Sequence, residues 1–153
     1  MKEIHVECLP DETLVKVLGA SRKQITHHSG KSRVFAKLKV SNNQIALVDE
    51  DPDSPKCSYE KSLRCLSESS GITEWADNSD NRIYMLKGKL EDWVINLCDN
   101  AQVDLKKFNL PDRPNAIHEV INERLSSFEK LLRHLLEQEN PGILKLKKAL
   151  NSK

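Results

Sequence analysis

The stretch Ile4-His5-Val6-Glu7-Cys8 alternates apolar and polar positions, with β-branched residues at the apolar ones, and predicts a short strand. Pro10-Asp11-Glu12-Thr13 follows, a helix start with acids in the first turn. Leu14, Val15, Val17 and Leu18 supply the apolar face of that helix, and Gly19 closes it. Residues 23–28 predict a second short strand, Ser29-Gly30 a turn, and residues 32–40 a helix with Val34, Phe35 and Leu38 inward. Ile45-Ala46-Leu47-Val48 is a continuous apolar run, the pattern of a strand buried on both faces. It stops abruptly at Asp49-Glu50-Asp51-Pro52-Asp53.

Residues 59–66 read as a helix, and the Ser-, Asn- and Asp-rich residues 67–81 as an exposed loop. Residues 82–86 are a strand, 87–89 a turn, and 90–98 a helix carrying Trp93, Val94 and Leu97. Strands alternate with helices over short connections. That pattern predicts an α/β fold, a Rossmann-like, mostly parallel four-stranded sheet flanked by helices.

After residue 100 the pattern changes. Pro111-Asp112-Arg113-Pro114 breaks the chain. A long helix is expected over 115–140, with Ile121, Leu125, Phe128, Leu132 and Leu135 recurring at 4-3-4-3 spacing. Ile117, Leu131 and Leu136 widen the stripe, Pro141-Gly142 ends it, and residues 143–150 form a last short helix. The chain thus divides into an α/β domain, 1–100, and a C-terminal helical extension, 101–153, packed on the same domain. The stripe most simply packs on its own domain; the sharper reading makes it the face for a homodimer or a protein partner.

Composition narrows the class. With 38% hydrophobic and 31% charged residues, the chain is globular and highly charged. A net charge of +1 supplies no global pull toward nucleic acid, so any such binding needs a local patch or a metal. The acids gather at residues 49–53, and Lys145, Lys147, Lys148 and Lys153 are basic at the far end. No apolar run approaches 18 residues and the N-terminus lacks a signal-peptide pattern, so no membrane association and a cytoplasmic location are expected. Cys8, Cys57, Cys65 and Cys98 form no CxxC pair, which argues against a structural zinc. Three of them sit beside apolar or helical positions, where Cys serves as a small core residue.

In an open parallel sheet, ligands bind beyond the carboxyl ends of the strands. Glu7 ends the first strand and Asp49 ends the apolar strand, so both belong to one sheet edge, and Asp51 follows two residues later. Carboxylates converging there repel unless a cation neutralises them, and oxygen ligands of this kind suit Mg²⁺ or Mn²⁺.

A Glu ending the first strand and a later strand ending in Asp-x-Asp resemble the Toprim domain of topoisomerases, bacterial primases and the overcoming-lysogenisation-defect (OLD) nucleases. The residues concerned are Val6-Glu7-Cys8 and Leu47-Val48-Asp49-Glu50-Asp51-Pro52-Asp53, and the order of elements matches over about the first 98 residues, including the turn at Gly30-Lys31. Cys8 stands where the family often has Gly, and Pro52 and Ser54 stand near the place of a later family glycine. A small stand-alone or OLD-like protein is the nearest kind. The resemblance implies metal-dependent cleavage of phosphodiester bonds in DNA or RNA, in phage defence or nucleic-acid processing. It gives Glu7 the part of metal ligand or general base, and Asp49 and Asp51 the part of metal ligands. Asp53 would be a third acid of that motif, Glu91 and Asp92 would complete a second metal site, and Lys31, or failing it Lys89, would steady the departing oxygen.

Each feature also has a plainer origin. Asp and Pro favour turns, acids suit a helix start whatever their function, and His27 and His28 read as polar loop residues. Ser29-Gly30-Lys31-Ser32 resembles the end of a phosphate-binding loop, but the pattern needs Gly at position 25, which is Ile25. Trp75 and Trp93 are candidates for stacking on bases, with Trp93 better placed for the core. The competing function is a non-catalytic interaction module that docks a larger, ATPase-type partner through its C-terminal helix. A receiver-like phospho-acceptor domain needs the reverse distribution of acids between the first and third strands.

Overall fold

A computed structural model describes residues 2–151; Lys153 lies outside them. The protein is α/β, with one six-stranded mixed sheet flanked by seven α-helices among the described residues. The strands are β1 (Ile4–Val6), β2 (Ile25–His27), β3 (Ile45–Asp49), β4 (Arg64–Ser69), β5 (Ile72–Ala76) and β6 (Arg82–Leu86), in spatial order β2-β1-β3-β6-β5-β4. The first four in that order are parallel; β5 and β4 add an antiparallel hairpin at one side.

The helices are α1 (Leu9–Val17), α2 (Lys31–Lys39), α3 (Ser58–Ser62), α4 (Leu90–Ala101), α5 (Pro114–Val120), α6 (Leu125–Glu137) and α7 (Pro141–Leu150). Strand alternation sorts the core into two layers. Ile4, Val6, Ile45, Leu47, Tyr84 and Leu86 pack with α1, α4, α5, α6 and α7. Ala46, Val48, Ile83 and Met85 pack with Val34, Phe35 and Leu38 of α2. The helices that follow β1 and β2 therefore cover opposite faces. From β1 the chain turns toward β2, whereas from β3 it leads toward β6, so the sheet has its topological switch point between β1 and β3.

Four parallel strands are where the apolar pattern predicts them, but the sheet is neither four-stranded nor purely parallel. The helix expected over 59–66 stops at Ser62, and residues 64–76 form the β4–β5 hairpin where the end of that helix and part of the exposed loop over 67–81 are expected. Two observations explain the miss. Every residue of β4 is exposed, so no hydrophobic alternation marks it. The hairpin turns on Ser70 (φ +55°) and Gly71 (φ +72°), a left-handed pair of the kind that closes two-residue hairpins. The 115–140 helix is also interrupted, with a 3₁₀ turn (Ile121–Glu123) between α5 and α6.

The 4-3-4-3 stripe packs inward. Phe128, Leu131, Leu132 and Leu135 are buried in the same core as Leu14, Leu18 and Trp93. The C-terminal helices therefore share one core with α1 and α4, and the stripe's central residues are not free for a dimer or partner helix. Of the cysteines only Cys98 is a buried core residue; Cys8 is half-buried, and Cys57 and Cys65 are exposed.

Candidate functional site at the carboxyl edge of the sheet

Glu7 follows β1 at the switch point, and Asp49 closes β3 beside it. The Glu7 carboxylate reaches across the gap, and Oε1 accepts a hydrogen bond from the Asp49 backbone N–H at 3.0 Å. Burial pushes the Glu7 carboxyl up, against the Asp49 N–H and the Lys31 ammonium that favour its charged form; Asp51 and Glu60 add like-charge repulsion.

The pattern-based reading misses Asp11. Only two residues separate β1 from α1, so the first turn of α1 is delivered to the same sheet edge. Asp11 is 1% exposed, and neither of its carboxylate oxygens makes a hydrogen bond of good geometry; the Cys8 thiol and the Glu7 backbone N–H are its nearest stabilising neighbours. Burial and the neighbouring Glu7 and Glu91 push it up to about 7. Asp49 Oδ1 is likewise buried without a partner. Burial, then Asp11, Glu7 and Glu91, push the Asp49 carboxyl up to about 9, against a hydrogen bond from the Leu90 backbone at the start of α4. A first-turn acid is ordinary for any helix, so the usable signal was the two-residue β1–α1 link.

Glu91 belongs to this group but has a partner. It is buried at the start of α4, and its Oε1 lies 3.1 Å from Nδ1 of the exposed His118 on α5. Asp92 has a structural occupation: its Oδ2 accepts the Lys89 N–H at 3.0 Å and caps α4. Asp51 sits on the loop with φ +46°, donates its N–H to Gly88 O, and accepts the Ser54 hydroxyl at 2.6 Å. Asp53 is exposed in the same turn, and among the described residues its side chain makes no hydrogen bond or ion pair.

Lys31, the first residue of α2, brings positive charge to the edge. Its Nζ donates to Glu50 O at 2.9 Å and lies 3.4 Å from Glu60 Oε2. Lys89 is exposed. His28 turns away from the acids toward buried His5, with Nε2 2.9 Å from His5 Nδ1.

The cluster as it stands is not a ready-made metal cage: among the described residues, no three His, Cys, Asp or Glu side chains are gathered as metal ligands would be. Its chemistry nonetheless fits a hard cation. Three buried carboxylate oxygens, two on Asp11 and one on Asp49, make no well-formed hydrogen bond, a deficit that protons or a cation would compensate. Compared with known protein families, characterised proteins and solved structures, the chain matches none.

Proposed function

We propose that the protein is a metal-dependent nuclease of the Toprim kind, acting on phosphodiester bonds of DNA or RNA. The observation that carries this reading is the meeting of Glu7 and Asp49 at the switch point, with both oxygens of Asp11 and Oδ1 of Asp49 buried beside them without a well-formed hydrogen bond. Glu7, Asp49 and Asp51 would hold Mg²⁺ or Mn²⁺, with Asp11 as an added donor and Asp53, Glu91 and Asp92 as outer acids. A bound cation of this type activates water and offsets phosphate charge. Lys31 keeps an ammonium beside Glu7 and is the side chain placed to favour negative charge at this edge. If Asp49 and Asp51 hold the cation without it, Glu7 is instead the candidate proton acceptor.

A non-catalytic module docking an ATPase-type partner through the C-terminal helix would have to use residues other than Leu132, which is buried in the chain's own core. The direct test is calorimetric titration of Mn²⁺ into the wild type and into Asp49→Asn/Asp51→Asn. Saturable binding lost in the folded variant supports the reading. Absence of binding to the folded wild type removes it.

A further inference from the structure

Beside the acidic site, on the α2 face of the sheet, lies a separate cleft of about 170 Å³. Its floor is the strand pair β5–β6: Thr73, Trp75 and Met85, with Thr73 and Met85 opposite each other in register. Its rim is Glu50 and Pro52 after β3, Lys56, and Glu60 on α3. The Trp75 indole is half-buried, and its Nε1 donates to Thr73 Oγ1 at 2.9 Å, which fixes the ring along the strand. Drug-sized ligands need about 300 Å³ or more, so this cleft suits a single planar ring system and not a whole nucleotide.

The rim chemistry narrows the class. Glu60 is engaged by Lys31, while Glu50 has no ion pair among the described residues; its Oε1 accepts the Gly88 N–H at 3.4 Å, and its Oε2 makes no hydrogen bond there. A carboxylate only accepts hydrogen bonds, so it selects a ring whose edge donates them. Glu50 lies between Asp49 and Asp51 in sequence, so the rim of the cleft is continuous with the acidic loop. Trp93, the other tryptophan, is 1% exposed and takes no part.

We propose that this cleft binds an unpaired nucleobase stacked on Trp75, with guanine preferred because its N1–H and N2 amino group offer two adjacent donors to a carboxylate. The proposal rests on the phosphodiester reading, whose substrate it specifies as a strand with a base free of its stack. An aromatic platform beside a carboxylate is a sequence-tolerant grip with one hydrogen-bonded preference.

The test is intrinsic fluorescence of the full chain in EDTA, titrated with guanosine, with inosine and with ribose. Guanosine should quench saturably, and inosine, which lacks the N2 amino group, should bind about tenfold more weakly. The response should vanish in Trp75→Phe, whose remaining emission comes from buried Trp93. Non-saturable quenching, an equal response to ribose, or a response that survives in folded Trp75→Phe overturns the proposal. Metal is absent throughout, so Mn²⁺ binding without a nucleoside response removes only the cleft. A nucleoside response without Mn²⁺ binding removes only the nuclease reading.

Discussion

The backbone N–H of Asp49 and the Glu7 carboxylate are joined at 3.0 Å, so two strand ends 42 residues apart in sequence are tied by one candidate ligand holding the main chain of another. This bond separates the structural role of Glu7 from its chemical one. Glu7→Gln keeps a carbonyl acceptor for the Asp49 N–H and removes one like charge, so it should fold with at least wild-type stability. Glu7→Ala leaves that N–H without its partner and should cost about 1 kcal/mol or more. Urea denaturation midpoints of the two variants measure the difference. On the proposed function, both lose Mn²⁺ binding.

Asp11 is a buried carboxyl with like-charged neighbours and no well-formed hydrogen bond. Such a group is a source of strain in the metal-free protein. Asp11→Asn should therefore stabilise the metal-free chain, by about 1 kcal/mol or more. The same substitution should weaken Mn²⁺ binding. A stabilised variant with unchanged calorimetry would show that Asp11 lies outside the metal's reach.

The pH dependence has a definite sign. Asp49 is raised to about 9 and Asp11 to about 7, so across neutral pH the folded chain holds protons that the unfolded chain has released. Stability from these groups is complete below about pH 4, the ordinary carboxylate range, and falls as pH rises through 7 and toward 9. Glu7, also raised, adds in the same direction. Asp77 opposes them: burial works against its charged form, but hydrogen bonds from Asn81, Tyr59 and Ser79 outweigh that and lower it, so its contribution is lost only in acid. Melting temperatures in EDTA from pH 5 to 9.5 should decline, and Asp11→Asn/Asp49→Asn should flatten the decline.

What the sequence reveals depends on which signal each element carries. β3 is legible because Ala46 and Val48 are needed by one core layer and Ile45 and Leu47 by the other. β4 is invisible because it covers nothing: Leu66 is its one large apolar residue and is 48% exposed. Glu7, Asp49 and Asp51 stand out because acids at strand ends interrupt apolar runs. Asp11 does not, because its burial follows from how α1 leaves the sheet, a tertiary fact. The stripe on α6 is legible as apolar, but its partner, α1 of the same chain, is not written in its spacing.

Gly71 carries the hairpin that the pattern misses. It has φ +72°, and a Cβ there would stand 2.9 Å from Trp93 Cδ1. Trp93 is fixed in the core and donates Nε1–H to Ser70 O at 3.0 Å, so it has little room to move. Gly71→Ala should cost about 1–3 kcal/mol through left-handed strain and overpacking. Because Trp75 and Thr73 lie on this hairpin, the variant should also weaken the guanosine response while leaving Mn²⁺ binding intact.

The C-terminal helices belong to the fold that positions the acids. Leu131, Leu132 and Leu135 are fully buried, and α6 packs on α1, the helix that carries Asp11. Leu132→Ala should cost about 2–5 kcal/mol, the range for a leucine removed from a close-packed core. A chain cut after residue 100 loses the whole layer over Leu14, Leu18, Trp93 and Val94. That exposes a contiguous apolar face far larger than a soluble monomer tolerates. The truncated chain should bind a hydrophobic dye strongly and lack a cooperative unfolding transition. A 1–100 fragment that folds cooperatively would instead make residues 101–153 a separable appendage, and would return the partner-docking reading to consideration.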